Sequence, residues 1–290
     1  MTKNEIGYKT LEQTIYQSLK INELTPLEKE RLLSELAVVK RTAAAHAYLY
    51  AMYAVKGLDK EEFCFLGKEN NSIINYVLGL TAVNPVKYGL PFELFFNSKR
   101  CGYMSFCFYI KSDAEDRFYE NLETMCLDEN LSNVCFVDED SDDMLWYMGM
   151  FSEIKFSNNT VVDKNYIDEE IYKKALQLYG EQLNNIDEFA NFATFGNILK
   201  CTEGKLVFRE QVIEILNKLC GLDLMTADYA REAICTKKQT YNDEVELILT
   251  DKDGEAGKEL FKYLLRFGGY TVSKGSVVSR LYNNIETRQN

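Results

Sequence analysis

Apolar positions recur at helical spacing over residues 9–20 and 26–56, and Thr25 with Pro26 supplies an N-cap followed by proline at the first helical position. Helices are predicted over both stretches. Asn84-Pro85 and Tyr88-Gly89-Leu90-Pro91 interrupt the pattern, after which Gly102 to Ile110 is a β-prone aromatic run and predicts a strand. From Thr160 onward the helical period returns over residues 167–180, 185–195, 208–220, 224–235, 255–267 and 275–286, separated by Gly or polar breaks. The order of elements predicts an α+β, mainly helical fold with one small sheet.

A chain of 290 residues with 46% hydrophobic and 13% aromatic content carries enough apolar surface for a substantial core. No segment approaches the roughly 18 to 20 uninterrupted apolar residues of a membrane span, and the polar start MTKNEIGYKT has no secretory apolar stretch. A cytoplasmic protein without membrane contact is expected. The eight cysteines form no C-x-x-C pair and one histidine is present to assist them, which predicts reduced thiols and no structural zinc.

A net charge of -12 opposes non-specific attraction to phosphate backbones. Residues 111–190 hold 20 Asp and Glu against 6 Lys and Arg, a net -14, so the remainder carries +2 and any nucleic-acid surface belongs outside the middle. Within that middle, the run Asp138-Glu139-Asp140-Ser141-Asp142-Asp143 resembles a metal or phosphate-mimic patch, and a solvated acidic loop is the preferred reading.

Three segments, in this order, resemble the polymerase core of the bacterial C-family, the DNA polymerase III alpha subunits. Tyr76 to Thr81 (YVLGLT) followed by Asn84 to Asn97 (NPVKYGLPFELFFN) is similar to the family's YCLGIT and PLKYGLLFERFLNP stretch that leads into the palm. Gly204 to Lys238 resembles a second family stretch without a gap, sharing Glu210, Gln211, Ala227, Asp228, Arg231, Lys237 and Lys238. Glu259 to Tyr282 resembles the fingers segment, sharing Phe267, Gly269, Tyr270, Lys274 and Ser276. The resemblance implies a degenerate nucleotidyltransferase-type palm with a small sheet and N-terminal helices over 1–160, and a helical fingers-like lobe over 161–290. It also implies a shortened protein, because a full alpha subunit adds a metal-dependent phosphoesterase domain and further clamp- and DNA-binding modules.

Nucleotidyl transfer needs carboxylates that hold two divalent metals roughly 4 Å apart. The family writes them on alternate strand positions as PDIDIDF, so that they share one face. Carrying that pattern down from Asn97 without a gap places Ser105, Cys107 and Tyr109 where three aspartates stand, and Trp146 takes a fourth position on an FDFLG-like strand. A hydroxyl, a thiol, a phenol and an indole leave a hard cation uncompensated, so a degenerate metal site with no catalytic residue and no cofactor is implied. The family's phosphate loop, GRGSAAGS, corresponds to Phe65 to Ser72, where Gly67 and Ser72 remain, Lys68 stands in for the arginine and Glu69 opposes phosphate.

The candidate contacts for nucleic acid or nucleotide are Lys68, Arg231, Lys237, Lys238, Lys274 and Ser276, with plain surface charge as the competing explanation. The function expected from these residues is a catalytically inactive, polymerase III alpha-like binding module for DNA or a replication protein. One alternative is a residual nucleotide-binding or nucleotidyltransferase enzyme that holds magnesium through displaced acidic residues; a second is a structural or assembly protein. The sequence leaves the oligomeric state open.

Overall fold

The structure, a computed structural model, describes residues 2–99, 104, 106–111, 113–127, 136–137, 146–148, 193–236 and 239–283. Its contacts divide the chain into two units, Met1–Val161 with Val278–Asn290, and Val162–Val277.

In the first unit, α1 (Lys3–Gln17) and α2 (Pro26–Thr42) each start on a threonine whose hydroxyl accepts the amide of the third helical residue. That residue's carboxylate accepts the threonine's own amide in return, Glu5 with Thr2 and Glu28 with Thr25, so donors that a helix start leaves open are satisfied. Chain direction changes at Ala43, whose φ of 56° is left-handed. The single helix expected over 26–56 is therefore two, the second being α3 (Ala45–Ala54). Leu11 and Ile15 of α1, Leu32, Leu36 and Val39 of α2, and Tyr48 and Ala51 of α3 lie at helical spacing and are buried in one cluster.

Strands β1 (Phe63–Cys64), β2 (Phe106–Ile110), β3 (Phe136–Val137) and β4 (Trp146–Met148) stand in the order β1-β2-β4-β3. β1 is antiparallel to β2, and β4 is parallel to both of its neighbours. The strand expected from Gly102 is present from Phe106, Gly102 lying outside the described residues. Alternation splits β2 in two: Phe106, Phe108 and Ile110 enter the core, while Cys107 and Tyr109 point to the other, part-buried face. Rings fill the core side, with centroids 4.9 Å apart for Phe65 and Phe108, 5.3 Å for Phe95 and Phe106, and 5.6 Å for Tyr48 and Phe106. Helix α6 (Glu115–Leu127) adds Phe118, whose ring centroid lies 5.5 Å from that of Phe108. Two short helices, α4 (Ile73–Val77) and α5 (Phe92–Phe95), contribute Ile73, Ile74, Phe92 and Phe95 to the same core.

The second unit contains α7 (Ala193–Leu199), α8 (Arg209–Lys218), α9 (Leu224–Thr236), α10 (Gln239–Phe267) and the first turn of α11 (Lys274–Tyr282). The helix expected over 255–267 continues upstream as part of α10, across a non-helical Gly254 with φ 59° and ψ -130°. Gln211 anchors the start of α8. Its Oε1 accepts the amides of Val207 and Phe208, each at 2.9 Å, and its Nε2 donates to Thr202 Oγ1 at 2.8 Å and to the Ile198 carbonyl at 3.2 Å. Because Gln211 is 4% exposed, Gln211→Ala leaves those groups unmet inside the unit and is expected to cost about 1–3 kcal/mol in urea unfolding. The helix expected at 167–180 lies outside the described residues, as does most of the one at 185–195. No helix among the described residues is long and apolar enough to cross a membrane.

Candidate functional site

The outer face of β2 carries Cys107 and Tyr109, and β1 sets Cys64 opposite Tyr109. Backbone pairing on the other side puts Trp146 level with Phe106 and Tyr147 level with Cys107. Cys107 and Tyr109 on β2 and Trp146 on β4 thus lie on adjacent strands, with Trp146 in register with the core-facing Phe106, while Ser105 lies outside the described residues. Burial pushes the Cys64 thiol up to about 12, and Tyr109 is raised well above its ordinary value of 10 by burial and then by Cys107, with the charge of Arg280 opposing both rises. Both groups are neutral near pH 7.

Magnesium favours charged oxygen ligands. This face offers thiols and a protonated phenol, and the charges acting on Tyr109 come from the cation Arg280 and the single carboxyl of Glu69. The described residues here do not fit a two-metal centre, and among them no three His, Cys, Asp or Glu side chains gather as a metal cage. Asp138, Asp140, Asp142 and Asp143 lie outside the described residues.

Beside this face runs the segment Phe65–Ser72, and its polar groups turn inward. Asn70 Nδ2 donates to the carbonyls of Phe65 at 2.8 Å and Gly67 at 3.0 Å, and Asn70 Oδ1 accepts the Thr81 hydroxyl at 2.6 Å. Asn71 Nδ2 donates to the Pro91 carbonyl at 3.0 Å, and the Ser72 hydroxyl donates to Glu35 Oε2 at 2.8 Å. Glu69, Asn70, Asn71 and Ser72 are all buried, while Lys68 is part-buried. Glu69 Oε1 accepts the Cys107 amide at 2.9 Å, and Oε2 has no hydrogen-bond partner among the described residues. A Cβ built on Gly67 would stand 2.6 Å from that Oε2, so a side chain at residue 67 would force the carboxyl to move.

Burial raises the Glu69 pKa from 4.5 to about 6, against the pull of Lys68 and the Cys107 amide. A carboxyl whose folded pKa is raised adds stability fully below its unfolded value, and that contribution is lost as pH rises through 6. Over that window the loss is about 2 kcal/mol. Glu69→Gln keeps an acceptor for the Cys107 amide without the charge. Its unfolding free energy relative to the parent is expected to rise by about that amount between pH 4.5 and pH 7.5. A difference that stays flat with pH would refute the buried, titrating carboxyl.

In the second unit, Arg231 is 4% exposed, with Nε 2.9 Å from Asp228 Oδ1, itself 0% exposed, and Nη1 3.9 Å from Cys235 Sγ. Its guanidinium is engaged inside the unit. The Lys274 amide donates to Glu210 Oε2 at 2.9 Å, and its side chain and that of Ser276 are part-buried at the start of α11. Lys237 and Lys238 lie outside the described residues.

The sequence pattern gave no structural role to two buried glutamates, Glu35 and Glu210. Glu35 is 1% exposed and takes Arg31 Nε at 2.8 Å together with the Ser72 hydroxyl and the amides of Ile73 and Ile74, while Glu210 takes the Ser273 hydroxyl at 3.3 Å beside the Lys274 amide. One signal was available: Glu35 falls three residues after Leu32 and four before Val39, on the apolar side of α2.

Comparison with known proteins agrees with this frame. Residues 8–108 match the bacterial DNA polymerase III alpha NTPase domain, and residues 160–252 match the bacterial DNA polymerase III alpha subunit finger domain. The DNA polymerase III subunit alpha of Aquifex aeolicus (strain VF5) is 24% identical over 273 residues, covering 88% of this chain and 23% of that protein. The subunit alpha of Halalkalibacterium halodurans is 31% identical over 88 residues, 28% of this chain and 8% of that one. An error-prone DNA polymerase of Cutibacterium acnes is 35% identical over 77 residues, 26% of this chain and 7% of its own length. The chain thus spans less than a quarter of the curated relatives it matches. Matched in order by two domains of one polymerase, on a mainly helical α+β fold, the chain is a bacterial DNA polymerase III alpha-like protein.

Proposed function

We propose that this polymerase III alpha-like protein is not a polymerase but a binding module for a replication protein or for DNA, working in the cytoplasm without a cofactor. On this reading residues 1–160 form a palm-like region and 161–290 a fingers-like one. The observation that carries it is the inward-turned loop at Phe65–Ser72. A phosphate cradle works by aiming backbone N–H groups at an anion, whereas here the buried Glu69 carboxyl takes the Cys107 amide for itself. Neutral Cys64 and Tyr109 beside it give a metal nothing to bind as an anion.

Primer extension with magnesium or manganese tests the absence of polymerase activity, and the expected result is no extended product. Templated incorporation would overturn the reading in favour of a nucleotidyltransferase that recruits magnesium through displaced acids such as Asp138 to Asp143. Calorimetry with magnesium and nucleoside triphosphates, against inorganic phosphate as the control, separates out a nucleotide binder, for which heat beyond that of phosphate alone is the signature and none is expected. Gel-shift titration with single- and double-stranded DNA at two salt concentrations divides the remaining partners. With Arg231 engaged inside its unit, DNA binding would rest on Lys68, Lys237, Lys238, Lys274 and Ser276 and would fall steeply with salt. A band unmoved at low salt leaves the replication protein, and sedimentation at several concentrations identifies a purely assembling protein.

A further inference from the structure

The first unit holds a pocket of about 80 Å³ along the edge of β1, lined by Phe63, Cys64 and Leu80 and by Lys20, Lys60 and Asn283. Lys20 is fixed in place. Its Nζ donates to the Tyr76 carbonyl at 2.9 Å and lies 4.2 Å from the centroid of the Tyr76 ring, so the ammonium is aimed rather than sweeping through solvent. Lys60 enters from the turn before β1 and is exposed. Neither lysine takes part in an ion pair among the described residues. Burial first, and the Lys60 charge second, lower the Lys20 pKa, with Glu23 pulling weakly the other way. Two cations thus share one small concavity and raise each other's cost, a cost that an anion between them would relieve.

The polar neutral groups at the rim are already committed: the Thr81 hydroxyl donates to Asn70 and the Asn283 amide to the Ser279 carbonyl. Among the polar side chains at the rim, the donors left are ammonium hydrogens, those of Lys20 beyond the one that Tyr76 accepts and those of Lys60. Paired ammonium groups suit a compact, multiply charged oxyanion, for which lysine acts as a point charge. The volume lies well below the roughly 300 Å³ at which sites for drug-sized ligands begin, so a base and sugar do not fit inside. We infer that the Lys20–Lys60 pocket is a binding site for a single phosphate group, carried by inorganic phosphate, by a phosphomonoester or by the backbone of a nucleic-acid strand. The inference stands on this pocket alone and holds whether or not the chain is a DNA-binding module.

Calorimetry and thermal unfolding of the full chain with inorganic phosphate at low ionic strength, against matched chloride, give the test. One phosphate per chain is expected to bind, and affinity should drop severalfold on going from 20 mM to 150 mM salt, because charge alone holds the ligand. Lys60→Gln removes an exposed cation, so unfolding without phosphate should be unchanged while phosphate affinity falls tenfold or more. Lys20→Arg retains a charge on the Tyr76 side and should retain binding. Oligonucleotides with and without a 5′-phosphate assign the source: competition by the phosphorylated strand alone indicates a terminal phosphate, and competition by both indicates the backbone. Absence of phosphate binding to the parent protein, or equal binding by parent and Lys60→Gln, overturns the inference.

Discussion

Glu35→Ala is expected to lower the unfolding free energy of the first unit by about 3–5 kcal/mol, because it leaves the buried Ser72, Ile73 and Ile74 donors unmet at about 1–3 kcal/mol each and takes the carboxylate from part-buried Arg31. The carboxylate is 1% exposed and serves four donors: Arg31 Nε at 2.8 Å, the Ser72 hydroxyl at 2.8 Å, and the amides of Ile73 and Ile74 at 3.1 and 3.3 Å. Those two amides open α4, so Glu35 caps a helix thirty-odd residues downstream of its own. Arg31 in turn reaches the carbonyls of Asn71 and Leu90, at 3.3 and 3.1 Å, and the Tyr48 hydroxyl meets Ser72 at 3.1 Å. Removing one carboxylate therefore unties α2 from the loop that ends at Ser72 and from the chain at Leu90. Glu35→Gln keeps one acceptor oxygen and should cost less than alanine. Urea unfolding followed by far-UV circular dichroism measures both, and an alanine loss below 1 kcal/mol would remove the claim that Glu35 organises this loop.

Elements with a local cause were legible in the sequence, and the contacts that decide the site were not. Thr25-Pro26 announced the start of α2 because capping is settled within four residues, and the aromatic run from Gly102 to Ile110 announced β2, also from local composition. The left-handed Ala43 was missed, since alanine has no turn propensity to betray it and the break is imposed by the packing on either side. The pairing of Cys107 with Tyr147 depends on residues some forty positions apart, and nothing local states that register. Charge density makes the acidic run at Asp138 to Asp143 conspicuous in the sequence. Glu69 sits alone between Lys68 and Asn70, and only burial, which is a tertiary property, turns it into a carboxyl with a pKa of about 6. Matching Asp228 and Arg231 within the second family stretch likewise gave their identities without their pairing, which only the burial of both side chains reveals.

That pair supplies the second large effect. Arg231→Met removes the cation from a carboxylate that is 0% exposed and is expected to cost the second unit about 3–5 kcal/mol. Asp228→Asn should lose somewhat less, because an amide oxygen can still accept from Arg231 Nε while the guanidinium keeps Glu232 at 3.8 Å. Replacing both with a volume-matched apolar pair, Asp228→Leu with Arg231→Met, is expected to recover much of the loss, since the penalty comes from a stranded charge rather than from a missing attraction. A nucleic-acid role for Arg231 predicts a different pattern: full stability in Arg231→Met, weakened DNA binding in a gel shift, and a salt slope reduced by about one. Stability and binding measured on the same three variants separate the two. The burial of both side chains argues for a large stability loss in each single variant and for binding that, where present, survives in the apolar pair. Arg231 beside Asp228 then serves packing inside the unit, where the guanidinium compensates a carboxylate that is 0% exposed.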